Sequence, residues 1–329
     1  MMTSLNKLLF NIFATTKKLK FKPVHHKAQH FSTSNAGFLY RSFKISKNPF
    51  LFISLFFIKS KRPFLLLWGF PFLPSKEEDD NSNAIQPKNV NLKKQTQKAV
   101  VQSDELFNLN KFEEAASTLL PFQDAGDVEV LWRLARAQYK QSQQSGVVEP
   151  QRRQLIESAY DELCIAITHD PDHWAVHKWM SVLLDARFTY DGVKARVTQL
   201  SKVKEHMLKA AELNPSDATT LYMIGSWCYQ IADMPWYQRK IAATIFAEPP
   251  KSSFEEALQY FSKAEEVQPR FYSQNLLMVG KTLLKLQRPT EAYDYLVQAR
   301  DFPSSSDEDD QVRKEAAEIL KNLKTNEKQ

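Results

Sequence analysis

Three histidines spaced by four, His169, His173 and His177, are the first residues of this 329-residue chain that could do chemistry. On one continuous helix they would share a face and could hold a metal ion. Pro171 interrupts that helix and forces a turn after His169. His173 and His177 are then left without a third ligand of suitable type, so all three read as structural or surface histidines. The carboxylate pairs Glu255-Glu256 and Glu265-Glu266 read as solvated helix faces. Seven glycines form no phosphate-cradling loop, and no nucleophile elbow, metalloprotease helix or Walker loop is present. Cys164 and Cys228 are too few for a disulfide framework or a zinc cluster; they fit a reducing compartment. No catalytic residue, metal or cofactor is expected, and the chain reads as a non-enzyme.

Two other groups could bind a partner. Trp227, Trp236 and Tyr237 crowd a short region with Arg239 and Lys240. They suit a groove in which aromatic anchors meet a peptide or lipid and cations hold its acidic group; the alternative is core aromatics with rim cations. Lys194, Arg196, Lys202, Lys204 and Lys209 form a second basic cluster, suited to an acidic polymer surface or to an exposed helix flank. The run Ser304 to Asp310 is acidic and serine-rich. Its plain role is to start the last helix, where negative charge is favourable.

The elements that must position these residues repeat. Ala159, Leu163, Ala166 and Pro171 fall at spacings of four, three and five, and Ala257, Phe261, Ala264 and Pro269 repeat them unchanged. Val203, Met207, Ala210 and Pro215 follow the same spacing with valine first, and Ala292, Leu296 and Ala299 precede Pro303, one position early. Alanines let neighbouring helices approach, the larger residue fills the groove, and the proline stops the helix. The partner helices carry Leu221, Ile224, Gly225 and Cys228, then Leu276, Val279, Gly280 and Leu283; the glycines open room where two helices cross. A weaker early unit is Leu106, Asn110, Ala115 and Leu119. This spacing predicts an all-α, tetratricopeptide-like superhelix of about a dozen helices in hairpins, right-handed, over residues 97–323. The repeats are irregular and lengthened: Gly225 to Ala257 spans 32 residues where Gly280 to Ala292 spans twelve. A last helix near Glu308 to Leu323 caps the array, and 324–329 form a tail.

The net charge of +6 hides an asymmetry. Residues 1–76 hold thirteen of the 44 cations and no acid, so the remaining 31 cations face all 38 carboxylates, a balance of −7. Residues 1–74 read as a basic, acid-free and disordered leader. Leu5, Leu8, Leu9, Ile12 and Phe13 fall on one helical face before Lys17, Lys18 and Lys20, as in a mitochondrial transit segment. Two apolar runs, Phe50 to Ile58 and Phe64 to Leu73, flank Lys59, Lys61 and Arg62; their apolar gain and the cost of the cations nearly cancel. A weak membrane segment and an inert or processed leader both remain open. Residues 75–96 read as a polar linker.

The body resembles the regulator of microtubule dynamics family. The residues that carry the resemblance include His177-Lys178-Trp179, Lys204-Glu205-His206, Glu212-Leu213-Asn214-Pro215, Trp227-Cys228-Tyr229, Met234-Pro235-Trp236-Tyr237-Gln238-Arg239, Ala247-Glu248-Pro249-Pro250, Phe271-Tyr272-Ser273 and Gly280-Lys281-Thr282. They keep their order over roughly residues 100–323, and the leader lies outside them. The resemblance implies a non-enzymatic protein of the cytoplasm, microtubules and spindle pole, whose partners are microtubules or spindle-associated proteins. It also implies an alternative, a mitochondria-associated repeat protein that binds lipid or tethers membranes. No acidic-flanked double-phenylalanine tethering motif is present, and no nucleic-acid partner is expected. Tubulin is acidic, so a body of charge −7 needs a local basic patch, the leader or an adaptor to meet it.

Overall fold

The computed structural model describes residues 86–326, apart from 193, 194, 196, 197 and 246–249. Side chains of 86–90, 237, 238, 241, 242, 245 and 326 also fall outside the description. The leader with its two apolar runs, the linker before residue 86, and the candidate residues Lys194 and Arg196 therefore lie outside the described residues.

The repeated alanine spacing translates directly into packing. Ala159, Leu163 and Ala166, then Val203, Met207 and Ala210, then Ala257, Phe261 and Ala264, then Ala292, Leu296 and Ala299 are all buried. They lie on α4 (Glu149–His169), α6 (Leu200–Leu213), α9 (Phe254–Val267) and α11 (Pro289–Arg300). The first three of these helices end alike. Asp170, Asn214 and Gln268 each leave the helical region, with φ of −141°, −137° and −142°. Each precedes a proline, which disfavours helical geometry at the residue before it. Their amides still donate to the carbonyls of Ala166, Ala210 and Ala264 at 3.0, 2.9 and 3.1 Å. One local rule thus closes three helices.

The other member of each pair precedes it: α3 (Val128–Ser142), α5 (Trp174–Phe188), α7 (Ala218–Ala232) and α10 (Ser273–Lys285). The pairs α3 with α4, α5 with α6, α7 with α9 and α10 with α11 pack as hairpins, and each hairpin also packs on the next. An N-terminal hairpin joins α1 (Gln86–Asn108) to α2 (Phe112–Leu119). A final helix, α12 (Asp307–Asn326), covers the last hairpin with Val312, Ala316 and Leu320. The architecture is all-α and tetratricopeptide-like, as the spacing predicts, and no strand occurs among the described residues.

Both crossing glycines act as the spacing requires. A Cβ on Gly225 of α7 would sit 2.7 Å from Cδ1 of Phe261 on α9. One on Gly280 of α10 would sit 2.7 Å from Cγ of Leu296 on α11. At those separations a methyl group overlaps its neighbour, so only glycine allows the close approach.

Two boundaries differ from the expectation. Helix α1 begins at Gln86, inside the segment read as linker; its polar sequence lacks the apolar period that marks a helix. The lengthened fourth repeat contains α8 (Trp236–Ile245), a helix inserted between the two members of its hairpin. The earlier lengthenings hold the turn after α3 and a 3-10 turn at Thr189–Asp191.

Candidate functional site

The aromatic-basic residues lie where α7 gives way to α8 and then α9. Trp227 lies on α7 two residues beyond the crossing glycine and only 1% exposed. Its indole nitrogen is buried without a hydrogen-bond acceptor. Lys204, on α6, places its Nζ 4.7 Å from the Trp227 ring centroid and 2.7 Å from Oε1 of Glu256 on α9. Ser252 donates to the other oxygen of Glu256 at 2.6 Å. Burial alone would raise the Glu256 pKa, but the bonds from Lys204 and Ser252 hold it below the usual carboxylate range. Lys204 therefore ties three helices together. It and Trp227 belong to one internal knot and do not form part of an open groove.

Trp236 is placed differently. It opens α8 and is 71% exposed, with Lys240 Nζ 5.5 Å from its ring centroid. Arg239 points back toward the body and donates to the backbone oxygens of Ala232 and Met234 at 2.8 and 2.9 Å. The Tyr237 side chain is outside the description. The single patch expected of these aromatics is thus divided into a buried Trp227 and an exposed Trp236. Lys202 is exposed on α6, and Lys209 pairs with Asp172 at 3.1 Å on the surface.

The three histidines are separated by the turn at Pro171, as the sequence requires. His173 contacts Oε1 of Glu129 at 2.9 Å through Nε2. His177 donates from Nε2 to the carbonyl of Pro171 at 2.8 Å, and its Nδ1 faces Nδ1 of His206 at 2.8 Å. With Nε2 of His177 donating to Pro171, its Nδ1 accepts from Nδ1 of His206, since one proton is shared between the two facing nitrogens. Burial, then the charges of His177 and Lys202, push His206 down to about 4. Among the described residues no three His, Cys, Asp or Glu side chains converge as metal ligands.

The thiols are inert by environment. Burial raises Cys228 to about 11 and also raises Cys164, so neither carries the thiolate that reacts at neutral pH. Sequence reasoning missed the polar ties between hairpins. Lys178 on α5 meets Asp217 at 2.7 Å, and Asp217 also accepts from the Thr220 amide at 3.2 Å to cap α7. Asn275 donates to Phe261 O and Glu265, and Ser273 donates to Asp309 at 2.6 Å. The adjacency of Asp217 to a helix start was a legible capping signal; its distant lysine was not.

A shallow groove of about 530 Å³ lies along the outer side of α9, lined there by Glu255, Gln259, Lys263 and Glu266 and closed by Leu286 and Arg288. Leu258 and Ser262 complete the lining, which mixes apolar surface with charged rims. None of the helices among the described residues is long and apolar enough to cross a membrane.

With this geometry in hand, the chain compares with known proteins as follows. Residues 99–324 match the family described as regulator of microtubule dynamics protein 1-3. Regulator of microtubule dynamics protein 1 of Bos taurus is 42% identical over 220 residues, which cover 67% of this chain and 69% of that protein. Regulator of microtubule dynamics protein 3 of Rattus norvegicus is 29% identical over 242 residues, covering 74% of this chain and 50% of that protein. Among solved structures, a thermophilic TPR protein of Thermus thermophilus is 16% identical with a TM-score of 0.46, covering 68% of this chain and 98% of that one. That structural likeness is too loose to locate a site.

Proposed function

This chain belongs to the regulator of microtubule dynamics family, and on that premise we propose that it is a non-catalytic microtubule-associated interaction protein. It regulates microtubule or spindle dynamics by presenting a helical-hairpin surface to a protein partner. The observation that carries the reading is the span of the family match, residues 99–324, which coincides with the hairpin array from late α1 to α12. Supporting it, His177 and His206 face one another between helices, and Asp217 and Glu256 are engaged in ion pairs that tie hairpins together.

Co-sedimentation of the full chain with stabilised microtubules at low salt tests direct binding. The reading expects the protein in the pellet in proportion to polymer and released by added salt. Protein that stays in the supernatant at every polymer concentration refutes direct association.

A second reading rests on residues 1–76, whose thirteen cations and absence of acid favour association with mitochondria and there a lipid or membrane partner. Imaging a tagged full-length chain beside one lacking residues 1–76 distinguishes the two. Mitochondrial signal that disappears with the leader supports the second reading; identical filamentous patterns dismiss it.

A further inference from the structure

Helix α8 is inserted between the two members of the α7–α9 hairpin. Its base is fixed by Arg239, which donates to the carbonyl of Ala232 at the end of α7 and to that of Met234 in the turn that follows. Trp236, Arg239, Lys240, Ala243 and Thr244 are all exposed, and at 3.6 residues per turn these five positions fall within less than half of the helix circumference. The face so formed carries one large ring with the Lys240 ammonium beside it, while the Arg239 guanidinium is turned back onto backbone carbonyls. No carboxylate occurs between Asp233 and Glu248, and Asp233 is itself paired with Lys285 at 2.6 Å. A cationic, aromatic face is therefore exposed on a body whose overall balance is negative.

We infer that this outward face of α8 is a docking site for a carboxylate-rich peptide segment of a protein partner. Lys240 supplies charge, and the Trp236 ring supplies a rigid apolar platform for the methylene stems of acidic side chains. Long-range attraction to an acidic partner is unavailable to the body as a whole, so the attraction is local and falls with salt. A lipid surface fits the face less well. Interfacial helices bury a continuous apolar stripe, whereas only one of these five positions bears a large apolar side chain. This inference deepens the microtubule reading and rests on it for the identity of the partner, but not for the chemistry of the site.

The test uses the full chain, Trp236→Ala and Lys240→Glu, with helical content checked by circular dichroism. Each is measured against a labelled poly-glutamate peptide, against microtubules, and against phosphatidylcholine–phosphatidylserine vesicles. The expected result is salt-sensitive peptide binding that each substitution weakens about tenfold, with a parallel loss of pelleting. Peptide binding lost in both variants without any microtubule binding by the parent supports the site and overturns the microtubule reading. Microtubule binding unchanged in both variants overturns the site and leaves that reading standing. Absence of parent binding to the peptide, or Trp236-dependent binding to vesicles alone, also overturns the site.

Discussion

Glu162 on α4 shows how burial writes a pH dependence into this array. Its side chain accepts from Gln123 at 2.5 Å, while its second oxygen is buried without a partner. Burial first, then the charge of Asp161, raises its pKa to about 7. The folded state thus holds a proton that the unfolded chain releases near 4.5. Its contribution is full below that value and is lost as pH rises through about 7, a penalty of at most about 3 kcal/mol. Glu162→Gln should flatten the thermal stability profile across this window and raise Tm at its alkaline end; a wild-type slope retained in the variant counts against the assignment. His206 works in the opposite direction. Its folded pKa of about 4 lies below the ordinary 6.5, so stability is lost as pH falls between those values. His206→Asn, which offers an amide near the position of Nδ1, should lose less Tm than the parent over that interval. Residue identity alone did not separate Trp227 from Trp236. Trp227 follows the packing spacing of Leu221, Ile224 and Cys228, a signal that it is internal, whereas Trp236 follows Pro235 at a helix start. The partnership of Lys204 with Trp227 crosses two helices and leaves no local trace in the sequence.

At the level of elements, the hairpins were legible because one requirement recurs. Alanines, a crossing glycine and a terminating proline are each demanded by close helix approach, and the repetition of the spacing separates them from chance. Gly280→Ala tests the crossing directly. The added methyl meets Leu296, so the variant should lose about 1–2 kcal/mol despite alanine's better helix propensity. Adding Leu296→Ala should recover part of that clash, giving a non-additive cycle in chemical denaturation; strict additivity contradicts the contact. The turn between α10 and α11 carries Gln287 at φ 60°, a left-handed conformation that costs a side-chain-bearing residue roughly 1 kcal/mol. Gln287→Gly should therefore raise stability by up to about that amount, read from the urea midpoint, and a lower midpoint would contradict it. Helix α8 and the start of α1 were less legible. The first turns of α1 are polar, and α8 lies between Pro235 and Pro249-Pro250, outside the repeated alanine and glycine spacing.

For the whole molecule, the charge ledger and the fold point to one mode of action. A hairpin array with a negative balance exposes a local cationic face on α8, so the proposed recognition is short-ranged and set by the array's surface. The all-α fold and its hairpins could be read from spacing, and the family from ordered short motifs. The surface that meets a partner could not, because exposure depends on which insertions pack and which project. The most direct measurement follows individual microtubules growing from seeds in purified tubulin while the full chain is titrated in. The account predicts a concentration-dependent change in growth rate or catastrophe frequency that Trp236→Ala weakens. Growth and catastrophe that stay constant across the titration would contradict it.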